Sequence, residues 1–328
     1  MKKITVLGGG TGSYAVLTAL KTTPQVDLAA IVTMLDSGGS TGKLRDQLGV
    51  LPPGDLRQCL VALSEAPEIW RKLFTYRFEQ GDLKGHSFGN IFISALEKIS
   101  NNYDEVLDEV HYVMQCIGRV IPATLNQANI EVTYNTGRVV SGEKDLDELN
   151  PDNGMITKAI AVPQVKANPK ALERIKQSDV IIAGPGDLYS SIISISLAEG
   201  ISDSIQKSNA KLIYIMNLMT KASQTYGYGA WEHIRDFHKY FGKLPDVCIV
   251  NEGNLPTDMI KRYQEFGEVP VVDNLKENGF NGQVIKADLV DTSQISEGHK
   301  NESLASTFAH SIVRHDINKL EEVIKKVI

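Results

Sequence analysis

Several short stretches of the chain concentrate glycine, hydroxyl and amide residues, the types that hold phosphates and sugars. The first is Gly8-Gly9-Gly10-Thr11-Gly12-Ser13. Glycines let the backbone approach a phosphate, and a helix N-terminus behind them offers N–H groups and the positive end of its dipole. Gly8 and Gly10 fit a dinucleotide fingerprint, but Ser13 stands at its third glycine position. Gly9, Gly10, Thr11 and Gly12 are therefore candidate contacts to phosphate, with a plain strand-to-helix turn as the alternative.

The second stretch, Asp36-Ser37-Gly38-Gly39-Ser40-Thr41-Gly42-Lys43, resembles a P-loop but fails as one. Ser37 replaces its first glycine, and Leu44 replaces the hydroxyl residue that would bind magnesium. Asp36 stands where an acid would hold ribose hydroxyls. A ligand loop made of Asp36, Ser37, Gly38, Gly39 and Ser40 is favoured over a solvated surface loop. The third, Gly85-His86-Ser87-Phe88-Gly89-Asn90, opens a helix. There, His86 or Ser87 caps the helix, or His86 and Asn90 face a ligand. The fourth, Gly184-Pro185-Gly186-Asp187, offers backbone amides from Gly184 and Gly186, with Asp187 or Ser190 as a helix cap. Asn217 closes a strand, and its amide suits a base or sugar edge. Arg314, in a terminal helix expected from about Ser303, is a candidate phosphate clamp.

The elements that must position these residues follow from the apolar pattern. Strand-length runs at Ile4–Leu7, Leu28–Thr33, Val180–Ala183, Leu212–Met216, Val247–Val250 and Val284–Ala287 alternate with amphipathic helical stretches. That alternation predicts a parallel, doubly wound α/β sheet, in which ligands bind beyond the C-terminal strand ends. The period changes between residues 125 and 165. Ile130, Val132 and Tyr134 alternate with polar residues, and a turn at Asn135-Thr136-Gly137 leads to Arg138-Val139-Val140. This reads as an antiparallel β-hairpin insertion within one domain spanning 1–328. Asp55, after Pro52-Pro53-Gly54, reads as the N-cap of a helix over Leu56–Leu63, with Gln58 completing a capping box.

Composition bounds the function. The 328 residues carry 34 basic and 40 acidic side chains, a formal charge of -6, and a pI of about 5.7. That balance argues against a nucleic-acid polymer as partner. Three dispersed cysteines form no C-x-x-C pair, and the histidines show no metal-ligand spacing, so no metal site is expected from the protein alone. Asp36 and Asp187 could hold Mg²⁺ together with a bound diphosphate. No apolar run reaches the ~18 residues of a membrane span. A cytoplasmic protein is expected, and a homodimer is the base-rate expectation.

Taken together, the stretches at 8–12, 37–57, 85–90, 184–189 and 217–220 resemble the gluconeogenesis-factor (YvcK-like) family. That family lies within the superfamily of 2-phospho-L-lactate transferase (CofD-like). The resemblance covers nearly the whole chain. It implies a Rossmann-like three-layer α/β/α fold that binds nucleotide-sugars, with UDP-N-acetylglucosamine as the type ligand. It also implies a role in cell shape and envelope synthesis during gluconeogenic growth, and hence a protein partner there. The positions implied to touch ligand are Gly10, Thr11, Gly12, Asp36, Asn90, Gly184, Gly186, Asn217 and Arg314. Ser37 and Gln224 stand where the family often carries acids, which implies few acids beside the phosphates. The leading reading is a binding regulator without turnover, and the runner-up is a transferase of a phosphoryl-linked group. An NAD-dependent oxidoreductase is disfavoured by Ser13.

Overall fold

A computed structural model describes residues 1–148, 154–291 and 313–328. Ten strands form among the described residues: β1 Lys2–Leu7, β2 Val26–Val32, β3 Arg119–Pro122, β4 Asn129–Tyr134, β5 Val139–Ser141, β6 Ile156–Val162, β7 Val180–Ala183, β8 Lys211–Ile215, β9 Val247–Asn251 and β10 Gln283–Ala287. Seven of them make one sheet in the order β10-β9-β8-β7-β1-β2-β3. Every neighbouring pair in it is parallel. The other three make an antiparallel sheet in the order β5-β4-β6. The expected Rossmann-like α/β/α architecture is what forms.

Strand alternation splits the core across the sheet. Ile4 and Val6 of β1 join Leu28, Ala30 and Val32 of β2 on one face, under the helices Gly10–Leu20, Gly54–Leu63, Tyr103–Met114 and Ile317–Lys325. Leu7, Ala29, Ile31, Ile181 and Ala183 face the other way, under the helices Pro169–Gln177, Ile201–Lys207 and Ala230–Phe241. The antiparallel sheet packs on this second face through Ile130, Val132 and Tyr134. Tyr134 ties it down by donating to the Ser223 carbonyl at 2.8 Å. At the N-terminal edge of the sheet, buried Arg174 donates to Thr5 Oγ1 (2.9 Å), Asp27 Oδ2 (2.8 Å) and the Ile4 carbonyl (3.0 Å).

The structure revises several local expectations. The antiparallel insertion forms as three strands, and it carries a short helix, Glu143–Asp147, that the pattern did not mark. The stretch read as a ligand loop after Asp36 is helical from Gly39 to Leu48, because Thr41, Gly42 and Leu44 bury one side and Gly49 ends it in the left-handed region at φ 65°. Asp55 is not a cap. The helix begins at Gly54 after Pro53, which makes no side-chain cap, and Asp55 lies in its first turn. Strand β3 escaped the pattern because it is four residues long and ends in proline. The expected helix start near Ser303 lies outside the described residues, and Arg314 precedes the helix Ile317–Lys325 rather than sitting in it.

Candidate functional site

Chain order reverses direction at β1. The segment β1, β2, β3 builds outward one way, and β7, β8, β9, β10 the other. The helices that follow β1 and β7 therefore pack on opposite faces of the sheet, and the strand ends between them are the position where doubly wound sheets bind ligands. A cleft of about 780 Å³ lies there, lined by Gly9–Gly12, Pro185–Asp187, Asn217–Lys221 and the segment 313–318.

Close backbone approach shapes its floor. Gly10 turns the chain into the helix Gly10–Leu20 at φ 62°, a conformation that favours glycine. A Cβ on Gly9 would lie 1.8 Å from Asp55 Oδ2, and one on Gly12 would lie 2.0 Å from the Pro185 carbonyl oxygen. The two loops thus touch where neither has a side chain. Ser13 fills the space beneath Gly8, whose Cβ would sit 2.5 Å from Ser13 Oγ.

The second loop is held from β8. Asn217 accepts from the Gly186 N–H at 3.1 Å and donates to the Gly186 carbonyl at 2.9 Å. Its amide is spent on positioning this loop. Neither Asp187 nor Ser190 caps the following π-helix, Leu188–Ile193. Buried Gln224 does so instead, accepting from the N–H groups of Tyr189 (3.1 Å) and Ser190 (3.3 Å).

One end of the cleft is crowded with carboxyl groups. Asp55 accepts from the Gly10 N–H, yet burial, then the charges of Asp36 and Asp187, push its pKa up to about 7. Glu143, delivered by the insertion, is pushed well above the carboxylate range by burial and by Asp36, with which it shares a hydrogen bond. Two carboxyl groups can hydrogen-bond only when one of them holds a proton, so the pair keeps one between them. Burial also raises Glu268 to about 7, opposed by the Ala222 N–H that it accepts at 3.2 Å. Lys221 sits between Asp187 and Asp147, with the latter at 2.6 Å. Burial works against its charge, but the two carboxylates more than offset this and hold its pKa above the ordinary value.

Tyr14, Leu218, Met219, Tyr263, Val313 and Ile317 also line the cleft, interspersed with Asp291, Arg314, Asp316 and Asn318. Half-buried His315 lies among them, with Nε2 donating to the Met216 carbonyl at 3.1 Å, and loss of solvent around the ring pushes its pKa down to about 4.

Of the residues singled out by sequence, Gly9, Gly10, Thr11, Gly12, Gly186, Asp187, Asn217 and Arg314 line this cleft. Asp36 stands behind it, next to Glu143 and Asp55. Its Oδ1 accepts from the Gly38 N–H at 2.6 Å. Ser37 packs against Gly142 of the insertion, and Gly39 is exposed. Ser40, His86 and Asn90 form a separate cluster that does not line the cleft, with Ser40 and Asn90 buried and His86 half-buried. Ser40 Oγ lies 2.9 Å from His86 Nδ1, while Asn90 donates to Ser40 Oγ at 3.4 Å and accepts from Arg57 Nε at 2.8 Å. Ser87 caps that helix by accepting the Asn90 N–H at 3.2 Å. Gly184 lies under the loop, where a Cβ would be 2.8 Å from the Ile215 carbonyl oxygen.

Acids stand in and behind the cleft despite Ser37 and Gln224, because Asp55, the Glu143 and Asp147 pair, and Glu268 are brought there from three separate segments. Asp55 carried a signal that pointed elsewhere, as a helix cap. Glu143 and Asp147 sit in a polar stretch with no motif at all. Lys221 directly follows Asn217-Leu218-Met219-Thr220, so adjacency to a recognised stretch was the only hint available.

Residues 4–290 match the family described as 2-phospho-L-lactate transferase CofD. The gluconeogenesis factor of Bacillus subtilis is 34% identical, covering 98% of this chain and 96% of its own length. The chain belongs to the gluconeogenesis-factor family, within the CofD superfamily. The gluconeogenesis factor of Halalkalibacterium halodurans is 36% identical over 84% of this chain and 85% of its own. The crystal structure of a UPF0052 family member from Bacillus halodurans superimposes with a TM-score of 0.87 at 33% identity, covering 99% of this chain and 98% of that one. Family membership thus extends over both sheets. No helix among the described residues is long and apolar enough to cross a membrane.

Proposed function

We propose that the chain binds a nucleotide diphospho-sugar of the UDP-N-acetylglucosamine type in this cleft. It acts as a regulator of envelope synthesis and cell shape under gluconeogenic growth, not as a turnover enzyme. The observation that carries the reading is the two-part cleft at the chain reversal. One part is a glycine-lined floor at a helix N-terminus, and the other is a wall in which Tyr14, Met219 and Tyr263 stand among polar residues such as Arg314 and Asn318. A diphosphate fits the first part and a nucleoside the second.

A diphosphate beside Asp55 and Asp187 needs a cation. The donor set suits Mg²⁺, because Asp36 and Asp55 are hard oxygen ligands close enough to raise the proton affinity of Asp55. Among the described residues no three such side chains converge on one point, so phosphate oxygens and water would complete the shell. When bound, the ion would neutralise the diphosphate. Asp55 would have to give up its proton on loading, which makes metal-assisted binding tighter at higher pH.

The transferase reading draws on Asp55 as well. A carboxyl held near neutrality in a cleft is suited to take a proton from an acceptor hydroxyl. Calorimetry against UDP-N-acetylglucosamine, NAD and GTP, with and without Mg²⁺, followed by chromatography of the mixture, separates the readings. Sugar-nucleotide binding without product supports the regulator. Product that disappears in Asp36→Ala and Asp55→Asn supports the transferase. Preference for NAD would remove both.

A further inference from the structure

Lys221 is a cation in the cleft whose charge is already taken. Among the described residues that line the cleft, Lys221 and Arg314 supply the basic side chains, against the carboxyl groups of Asp55, Glu143, Asp187, Glu268, Asp291 and Asp316. An anion entering there needs that positive charge. Yet Lys221 Nζ is held by Asp187 on one side and by Asp147 Oδ1, at 2.6 Å, on the other. Asp147 is not part of the cleft lining. It is delivered by the short helix Glu143–Asp147 of the antiparallel insertion. Its side chain is 37% exposed, whereas that of Lys221 is 18% exposed. Breaking the pair therefore leaves Asp147 free to take up water, and leaves Lys221 in need of another negative partner.

We infer that Asp147 is an autoinhibitory contact: it occupies Lys221 until a phosphate-bearing ligand displaces it, and the displacement loosens the insertion helix. This rests on the diphosphate reading of the cleft and adds a way for occupancy to be felt outside it. A diphosphate oxygen is a stronger partner for an ammonium group than a partly exposed, screened carboxylate. The ligand and Asp147 compete for one cation, so each weakens the other's hold by the same factor. The helix has few other tethers. Leu146 is buried, Glu143 hydrogen-bonds with Asp36, and Gln224 Nε2 donates to Asp147 Oδ1 at 3.3 Å. Gln224 also accepts the N–H groups of Tyr189 and Ser190, so it stays with the π-helix when Asp147 leaves. A helix of five residues is not stable by itself, and the loss of one ion pair is felt there first.

The test titrates the full chain with UDP-N-acetylglucosamine in the presence of Mg²⁺ and follows amide exchange at Leu146 and Glu148. Their N–H groups donate to the Gly142 and Lys144 carbonyls at 3.1 Å each. Asp147→Asn should bind about 3- to 10-fold more tightly than wild type, the worth of one partly screened ion pair. Asp145→Asn removes an equal charge from an exposed position on the same helix and should bind as wild type does. Saturating wild type should speed exchange at Leu146 and Glu148 while strand β1 exchanges no faster, the reverse of the protection a bound ligand ordinarily confers. That readout needs no variant to fold. Asp147→Asn binding no more tightly than wild type overturns the inference. So does equal tightening by Asp145→Asn, or exchange in the saturated helix that is unchanged or slower. Failure of wild type and Asp147→Asn alike to bind overturns the nucleotide-sugar reading, and this inference with it.

Discussion

Asn217 grips Gly186 by both of its backbone groups, accepting the N–H at 3.1 Å and donating to the carbonyl at 2.9 Å. The end of β8 thereby sets the position of the loop that leaves β7. Asn217→Asp keeps the acceptor but turns a carboxylate oxygen toward the Gly186 carbonyl, while Asn217→Ala removes both bonds. Each should cost about 1–3 kcal/mol in urea unfolding, with Asp no better than Ala. A stability for Asn217→Asp equal to wild type would show that the clamp contributes nothing.

Asp55 gives the stability a pH dependence of defined sign. Its folded pKa of about 7 lies above the ordinary 3.8. Between those values the folded chain holds more protons than the unfolded chain, so this group's contribution falls as pH rises from 4 to 7 and is level above that. Asp55→Asn removes the slope. The variant should gain on the order of 2 kcal/mol over wild type at pH 8 and little at pH 4, measured by denaturant midpoints at both. Glu268, held up to about 7, leaves a parallel slope in both proteins. Identical pH slopes for variant and wild type would contradict the assignment.

Lys221 joins the insertion to the main sheet through Asp147 and Asp187. Both carboxylates are partly exposed, so Lys221→Met should cost only about 1 kcal/mol in global stability. The local effect should be larger. Amide exchange in the helix Glu143–Asp147 should speed up while strand β1 stays protected. Unchanged exchange there would mean that core packing of the antiparallel sheet holds the helix unaided.

Gly12 and Pro185 are in contact across the chain reversal. Gly12→Ala places a methyl 2.0 Å from a backbone carbonyl. The loops must separate, which should cost about 3 kcal/mol and lower ligand affinity together. Thr11, exposed at the same helix end, offers the contrast, since Thr11→Ala should leave the melting temperature nearly unchanged. A Gly12→Ala protein as stable as wild type would show that the loops move apart freely.

Much of the architecture was legible in the order of residues. Ile4–Leu7, Val180–Ala183 and Leu212–Met216 are apolar on both strand faces, which only a covered parallel sheet satisfies. The alternation of Ile130, Val132 and Tyr134 against polar neighbours marked the antiparallel piece for the same reason, since one face of that sheet is wet. The glycines at 8–12 and 184–186 marked the loops because close approach of backbones admits no substitute. These are local properties, carried by neighbours along the chain.

The acid cluster was invisible for a matching reason. Asp36, Asp55, Glu143 and Glu268 come from four segments far apart in sequence, and a proton shared between Glu143 and Asp36 exists only where folding removes water from both. The same holds for His315, whose tautomer is dictated by the carbonyl of Met216, just beyond β8 and far away in sequence. Periodicity and turn chemistry told which elements form and which strand ends carry ligand-type loops. Which side chains from distant segments meet in a low-dielectric cleft, and with what charge, was decided only by the packed structure, because burial and pairing are properties of the assembled interior.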